Sequence, residues 1–316
     1  MILTIATWRR RDRARVCRPR YADARSCTRG AEGLVPAISE YFKTVGVWED
    51  GVHRYRVMEP NHDEWLEGLA VIYRELRTTT RVPLSALGLD GVEFDTKDLA
   101  VILAKTQIPT RLGTRSPKQL AVERSDFAEL ALAIVGEAIH EYQYGYRSIR
   151  DRELVDHPGR GIDQIGVKEV VLDSGDLACV LSLGEAKLSV DKKSPPSVVD
   201  ASKDSLRNQH IGHLAEREES VKKVIGAGQK TADYAVAKQL MRAGMLWTRG
   251  SELLTVRSTS MLVRDNNHKE TDFGTFRSAP SDFDPGHIDF TILLIDTDDI
   301  EAVIDRFVKL AHQDVA

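Results

Sequence analysis

Cysteine is scarce in this chain, and its absences are informative. Only Cys17, Cys27 and Cys179 occur, with no Cys-x-x-Cys pair among them. This excludes a disulfide scaffold, argues against structural zinc and fits a reducing cytosol. Long apolar runs are also missing. None approaches the roughly 20 residues that a membrane helix requires, so no membrane role is expected. A strong net charge is missing too. The formal charge is −4 over 316 residues, so the whole-molecule balance gives no argument for a nucleic-acid partner. With 29% charged residues, the chain reads as soluble and globular, one large domain or two modest ones.

Charge is unevenly spread. Residues 1–29 hold nine arginines against Asp12 and Asp23, a local +7, which with the whole-chain −4 leaves −11 on the rest. An acidic body predicts a local basic groove rather than a basic face. Three readings fit the arginine-rich start: a nucleic-acid tail, a mitochondrial-like leader or an over-extended reading frame. Residues 1–30 are accordingly taken as a polar tail. Residues 31–112 carry mixed signals: a helix over Asp63–Arg77 with Trp65, Leu69, Ile72 and Leu76 on one side, and an apolar run over Leu99–Ala104. No chemical motif appears there, and a docking or scaffold role is the default.

Residues 113–316 contain the chemistry. Ile162–Leu172 and Leu177–Leu183 have strand length and composition, and lie either side of the turn Asp173-Ser174-Gly175-Asp176. An antiparallel hairpin is the simplest connection. Asp163 begins the first strand, and Glu185-Ala186-Lys187 ends the second. Because side chains alternate across a strand, Glu185 and Lys187 share a face, and the hairpin carries Asp163 back beside them. Two carboxylates suit one Mg²⁺ or Mn²⁺ ion, since Mg²⁺ keeps several waters and seldom takes more than one or two protein carboxylates. The Ala186 carbonyl is a further candidate ligand, and Lys187 a candidate for orienting water or offsetting phosphate charge. The bland alternative is an exposed charged pair at a strand end. Two other acid-x-lysine triplets, at Asp95 and Asp191, lack an acid one hairpin upstream or run into a loop.

A helix signal spans Phe127–Tyr146, with Ser125 as N-cap and Glu129 in the first turn. Glu129 is either a further site acid or a complement to the helix dipole. Downstream, helices are expected near Ser202–Ile225, Thr231–Ala243 and Asp299–His312, strands near Glu252–Arg264 and Ile288–Asp296, and a loop at Ser194-Pro195-Pro196-Ser197. Arg160, Lys192, Lys193, Lys203 and Arg207 are candidate phosphate contacts, each with solvated surface charge as its alternative. His210 and His213, three apart on a helix, could reach a metal or phosphate, but ordinary packing histidines are commoner. The same holds for His140 and His157. Gly226-Ala227-Gly228-Gln229-Lys230-Thr231 lacks the spacing and the preceding strand of a phosphate loop. Asp296-Thr297-Asp298 has too little chain after it for a phosphatase, and Asp298 or Asp299 more simply caps the last helix.

The order helix with Glu129, strand, strand with Asp163, strand with Glu185-x-Lys187, then helix resembles the core of the PD-(D/E)XK nuclease superfamily. Ile162 stands where that pattern has proline. Within the superfamily, Gly159-Arg160-Gly161-Ile162-Asp163, Gly184-Glu185-Ala186-Lys187 and the ending His287-Ile288-Asp289-Phe290 resemble the HamA/Cap4-type nuclease domain, which includes the nuclease subunit of the Hachiman anti-phage system. The resemblance implies an α/β fold: a restriction-endonuclease-like mixed sheet flanked by helices, with a smaller N-terminal α+β region. It implies Asp163, Glu185, Lys187 and, less securely, Glu129 as catalytic positions, DNA as substrate, Mg²⁺ as cofactor, and a helicase partner encoded nearby in a cytoplasmic setting. A non-catalytic nucleic-acid-binding subunit, a restriction-type nuclease and an RNase are the alternatives.

Overall fold

The computed structural model describes residues 41–78, 102–103, 105–109, 117–151 and 161–313. The arginine-rich tail, the apolar run from Leu99, Arg160 and His157 lie wholly or largely outside them.

The expected hairpin forms, toward one side of a larger sheet. Gln164–Val171 (β4) and Leu177–Ser189 (β5) pair antiparallel from Gln164↔Gly184 to Val171↔Leu177. At their turn Gly175 takes φ +84°, a left-handed conformation that glycine adopts without steric cost. Gln143–Arg147 (β3) adds to β4 as the edge strand. On its other side β5 pairs parallel with Leu254–Arg264 (β6), which pairs parallel with His287–Leu294 (β7). Parallel pairing needs long crossovers. These are supplied by Leu206–Ala215 (α5), Arg217–Lys230 (α6) and Tyr234–Arg249 (α7) before β6.

The N-terminal region supplies a hairpin of Phe42–Asp50 (β1) and His53–Pro60 (β2), followed by helix Trp65–Thr78 (α1). β2 pairs parallel with β7. The order is therefore β1-β2-β7-β6-β5-β4-β3, a seven-stranded mixed sheet with four central parallel strands and an antiparallel hairpin at each edge. No break in the ladder separates the N-terminal hairpin from the strands of residues 113–316. The fold is the α/β mixed sheet flanked by helices that the sequence predicts.

Each face of the sheet has its own apolar cover. On one, α1, Pro117–Ala138 (α2) and Ile300–Gln313 (α9) bury Leu69, Phe127 and Phe307 against Ala186, Met261 and Leu293. Phe127 and Phe307 meet edge-on, centroids 5.2 Å apart. On the other, α6 and α7 cover Ile165, Val167, Leu181 and Leu183 of β4 and β5. Short helical turns carrying Phe273, Phe276 and Phe283 cover Phe290 and Leu262. These turns are Glu270–Phe273, Thr275–Ser278 (α8) and Pro280–Phe283. Burying each such side chain contributes roughly 1.5–3 kcal/mol.

Two helix expectations are corrected. The helix expected over Phe127–Tyr146 is α2, which starts at Pro117 and ends at Ala138. Proline is tolerated in a first turn because its missing N–H has no helical partner there. Ser125 is thus an interior residue, not the N-cap, and Glu129 is far from the first turn. The helix ends where Glu141 takes φ +58° and the Tyr142 N–H returns to the Gly136 carbonyl at 3.0 Å. Gln143–Arg147 is a strand instead, and a register shift between Tyr144 and Tyr146 leaves Tyr144 against α2 and turns Tyr146 to the layer of Ile165 and Val167. The helix expected over Ser202–Ile225 is divided at Glu216, whose φ −90° and ψ +52° leave the helical region. Residues Gly226–Lys230 are helical, so no phosphate loop exists there. The Asp299 carboxylate accepts from the Ala302 N–H at 3.1 Å and caps α9.

Candidate active site

Asp163 lies one residue outside β4, so the ladder that pairs Gln164 with Gly184 sets it opposite Glu185. Two backbone bonds hold it there: its N–H donates to the Gly184 carbonyl at 3.1 Å, and its carbonyl accepts from Ser148 at 2.8 Å. Its carboxylate Oδ2 accepts from the Ala186 N–H at 2.9 Å. Ala186 itself turns its methyl to the opposite face, into the core under α2. Asp163, Glu185 and Lys187 therefore share the face covered by α5 and α6, at the end of the apolar layer over β4 and β5.

Both acids are buried, Glu185 completely. Burial is the main cause that pushes Glu185 up to about 8, opposed by the charges of Lys187 and Lys223 and by its hydrogen bond with Asp163, and reinforced by Glu129. Burial also pushes Asp163 well above the ordinary carboxylate range, with the Glu185 charge next in size, while Lys187 and the Ala186 N–H act against it. Two carboxyls this close in a low-dielectric site cannot both ionise without a counter-charge. With both carboxyls ionised, Glu185 Oε2 is a buried acceptor that no donor meets. A buried acceptor left in that state is costly unless another ligand meets it.

These observations fit a divalent cation. Its oxygen ligands would be Asp163 and Glu185, with the Ala186 carbonyl as a further candidate. Among the described residues no group of three or more His, Cys, Asp and Glu side chains is arranged to hold a metal. A closed side-chain cage is therefore absent there, whereas a site of one or two carboxylates completed by waters suits Mg²⁺.

The structure brings Asp163, Glu185 and Lys187 together, and treats Glu129 differently. Glu129 is buried on α2, on the other side of the sheet, and its Oε1 accepts from the Ser125 hydroxyl at 2.6 Å. Its backbone carbonyl accepts from the Gln164 side chain, next to Asp163. Glu129 therefore braces the start of β4 and adds negative charge near Glu185.

Two further residues join the site: His213, which the sequence reading weighs but leaves as a packing histidine, and Lys223, which it does not name. His213, on α5, places Nε2 2.7 Å from Glu185 Oε1. It is held near 4 chiefly by burial and then by the Lys223 charge, so it is neutral at pH 7. When Glu185 is ionised, as cation binding requires, Nε2–H is the donor to the carboxylate. The three-residue spacing of His210 and His213 places both on the side of α5 facing the sheet, which is the signal in the sequence. His210 goes instead to the Ser260 hydroxyl at 2.9 Å. Lys223, on α6, is the other. A Cβ on Gly161 would stand 3.4 Å from its Nζ, and Gly161 has φ +93°. Glycine thus lets the chain turn into Asp163 beneath this lysine.

Of the expected phosphate contacts, Arg207 pairs with Asp282 at 2.8 Å, while Lys192, Lys193 and Lys203 are exposed. The Ser194–Ser197 segment leads into a short helix, Ser197–Asp200 (α4). Cys179 is buried mid-strand, as expected of a core thiol. Among the described residues no helix is long and apolar enough to cross a membrane. Comparison with protein-family models returned no match, and comparison with curated proteins returned none either.

Proposed function

We propose that the chain is a Mg²⁺-dependent DNA endonuclease of the PD-(D/E)XK type. The observation that carries this reading is the pair of buried carboxylates, Asp163 and Glu185, on adjacent strands with Lys187 beside them on the same face. Such a set is expensive to bury and has no structural use that a pair of apolar side chains would not serve better.

In this reading Asp163 and Glu185 hold the cation, and the Ala186 N–H keeps Asp163 in position. When bound, the ion supplies Lewis acidity toward the phosphoryl group. Lys187 presents a positive charge to the phosphate as its own charge grows, and orients the attacking water. His213 donates to Glu185 and fixes that carboxylate's direction. Lys223 adds positive potential over the same mouth. The HamA/Cap4-type resemblance extends the proposal to an effector of anti-phage defence that works with a helicase subunit.

The test is cleavage of DNA in Mg²⁺ by the wild-type protein and by Glu185→Ala and Lys187→Ala variants, with and without the helicase of the neighbouring reading frame. Loss of cleavage in both variants is expected. Equal cleavage by all three rejects the site. A non-catalytic nucleic-acid-binding subunit is the rival. It is favoured if the wild-type protein binds neither Mg²⁺ nor Mn²⁺ even with DNA present.

A further inference from the structure

On the other face of the sheet, beyond the end of α2, a second polar centre lies around Asp289. Register places it there. Asp289 stands beside Thr259 and Arg54, in the row of Gly184, whereas Glu185 belongs to the next row and points the opposite way. The Asp289 carboxylate is buried, with Arg257 Nη1 3.1 Å from Oδ1 and His140 Nδ1 3.9 Å from Oδ2. Arg56 Nη1 is 3.5 Å from His140 Nε2. A guanidinium can only donate, so Nε2 accepts and the imidazole proton sits on Nδ1, toward Asp289.

Four cations surround this centre: Arg54, Arg56, Lys168 and Arg257. All four act on His140, and with its burial they hold it at about 3, hence neutral. All four likewise act on Asp289. The opposing acids are few. Asp289 is engaged by Arg257, Glu49 faces Arg54 at 3.8 Å across solvent, and the exposed Glu141 acts on Lys168. Arg56 and Lys168 are both half-buried, and among the described residues neither has a carboxylate within ion-pair distance. Lys168 lies 5.7 Å from the Tyr142 ring instead. Burial weakens the charged form of each, which is the condition of a cation awaiting an anion.

The face is open at both ends. Val47, registered with Arg56, is 52% exposed, and Val170, two residues beyond Lys168, is 37% exposed. The cations stand on β2, β6 and β4, every second strand of the sheet. At about 4.8 Å per strand their strands are spread over roughly 19 Å, while Arg56 leans toward His140 and Lys168 toward the Tyr142 ring. Cations carried on strands so spread suit successive phosphates of a nucleic-acid strand.

We propose that this face is a second, non-catalytic nucleic-acid site, where Arg54, Arg56, Arg257 and Lys168 contact the phosphodiester backbone of a single strand. The choice of a nucleic-acid strand rests in part on the nuclease reading; the anion site itself does not. A nuclease that holds a strand behind its cutting face keeps hold of its substrate between cleavage events.

The experiment is fluorescence anisotropy of the full-length protein with a labelled single-stranded oligonucleotide in EDTA, across a salt series. An Arg56→Gln/Lys168→Gln variant is expected to bind at least about tenfold more weakly, with a log–log salt slope shallower by about 1.4, the share of two phosphate contacts. The single variants are expected to fall between. Neither change removes an ion pair, so melting temperatures within the wild-type range accompany these effects. Lys238→Gln, at an exposed position of α7 on the other face of the sheet, is expected to bind as the wild type does, which separates these contacts from a general loss of positive charge. Unchanged affinity and slope in the double variant overturn the proposal. So does a double variant that loses binding of inorganic tripolyphosphate while keeping that of the strand, since the site would then serve a small polyphosphate.

Discussion

His213 Nε2 lies 2.7 Å from Glu185 Oε1, and this contact joins the helix after the Glu-x-Lys strand to the acid on it. His213 is not aimed at the solvent mouth; it holds the carboxylate from behind. A partner of this kind usually contributes 10–100-fold to metal affinity or activity. His213→Ala is therefore expected to weaken Mn²⁺ binding by about that factor, as read by calorimetry. His213→Gln, which keeps a donor, is expected to recover part of it. Equal affinity in all three proteins would remove His213 from the site.

The raised Glu185 group makes metal-free stability depend on pH. Its value is about 8 in the fold against 4.5 ordinarily, so the folded state holds this proton where the unfolded state has released it. The associated stability is complete below 4.5 and is lost as pH rises through 8, at about 1.4 kcal/mol per unit. In EDTA, urea midpoints of the wild type are expected to fall across this window, and those of Glu185→Gln to fall much less. Parallel curves for the two proteins would show that the carboxyl ionises freely. Added Mg²⁺ is expected to flatten the wild-type curve, because the cation favours the ionised pair.

Arg264, the last residue of β6, is fully buried. Its guanidinium donates to Asp272 at 3.0 Å, to the Ser189 and Asp191 carbonyls at 3.1 and 2.7 Å, and to Asn267 at 3.1 Å. It thus ties down the chain that leaves the Glu-x-Lys strand. Arg264→Ala leaves Asp272 buried without its cation and is expected to cost about 3–5 kcal/mol in chemical denaturation. Arg264→Lys should not restore the loss, since a point charge cannot reproduce the fork.

Glu141 is the one described non-glycine residue with positive φ, at +58°. Glutamate in that region carries a cost of about 1–2 kcal/mol, part of which glycine recovers. Glu141→Gly is expected to raise stability by roughly 0.5–1 kcal/mol. It also removes an acid near Lys168, so strand binding at the second face is expected to tighten slightly. A destabilised variant would indicate a stabilising role for the carboxylate at that turn.

The hairpin, the parallel strands and the last helix were legible because each has an unmixed apolar period and a clear turn or cap. The carboxylate pair was legible for the same reason: a two-residue alternation with a turn of known length fixes which side chains face each other. The limits of α2 were not. Its N-terminal turns precede a serine that imitates a cap, and its end is set by the backbone at Glu141, which no composition marks. The roles of His213 and Lys223 were hidden because they arrive from helices whose docking onto the sheet is decided by tertiary packing. The Asp289 centre was hidden more deeply. Its residues come from β2, β4, β6, β7 and the chain after α2, and only the strand order brings them together.

β5 is bonded to β4 over Leu177–Gly184 and to β6 over Cys179–Ser189, and the two acids stand where the β4 ladder ends, with the Asp163 N–H tied to the Gly184 carbonyl. Their separation is a property of the ladder, much as the gap between two teeth belongs to the comb. An activating subunit could not widen or narrow it without unzipping the middle of the molecule. If the centre cuts nucleic acid as proposed, control over it falls to its doorway, by deciding which strand is delivered and when.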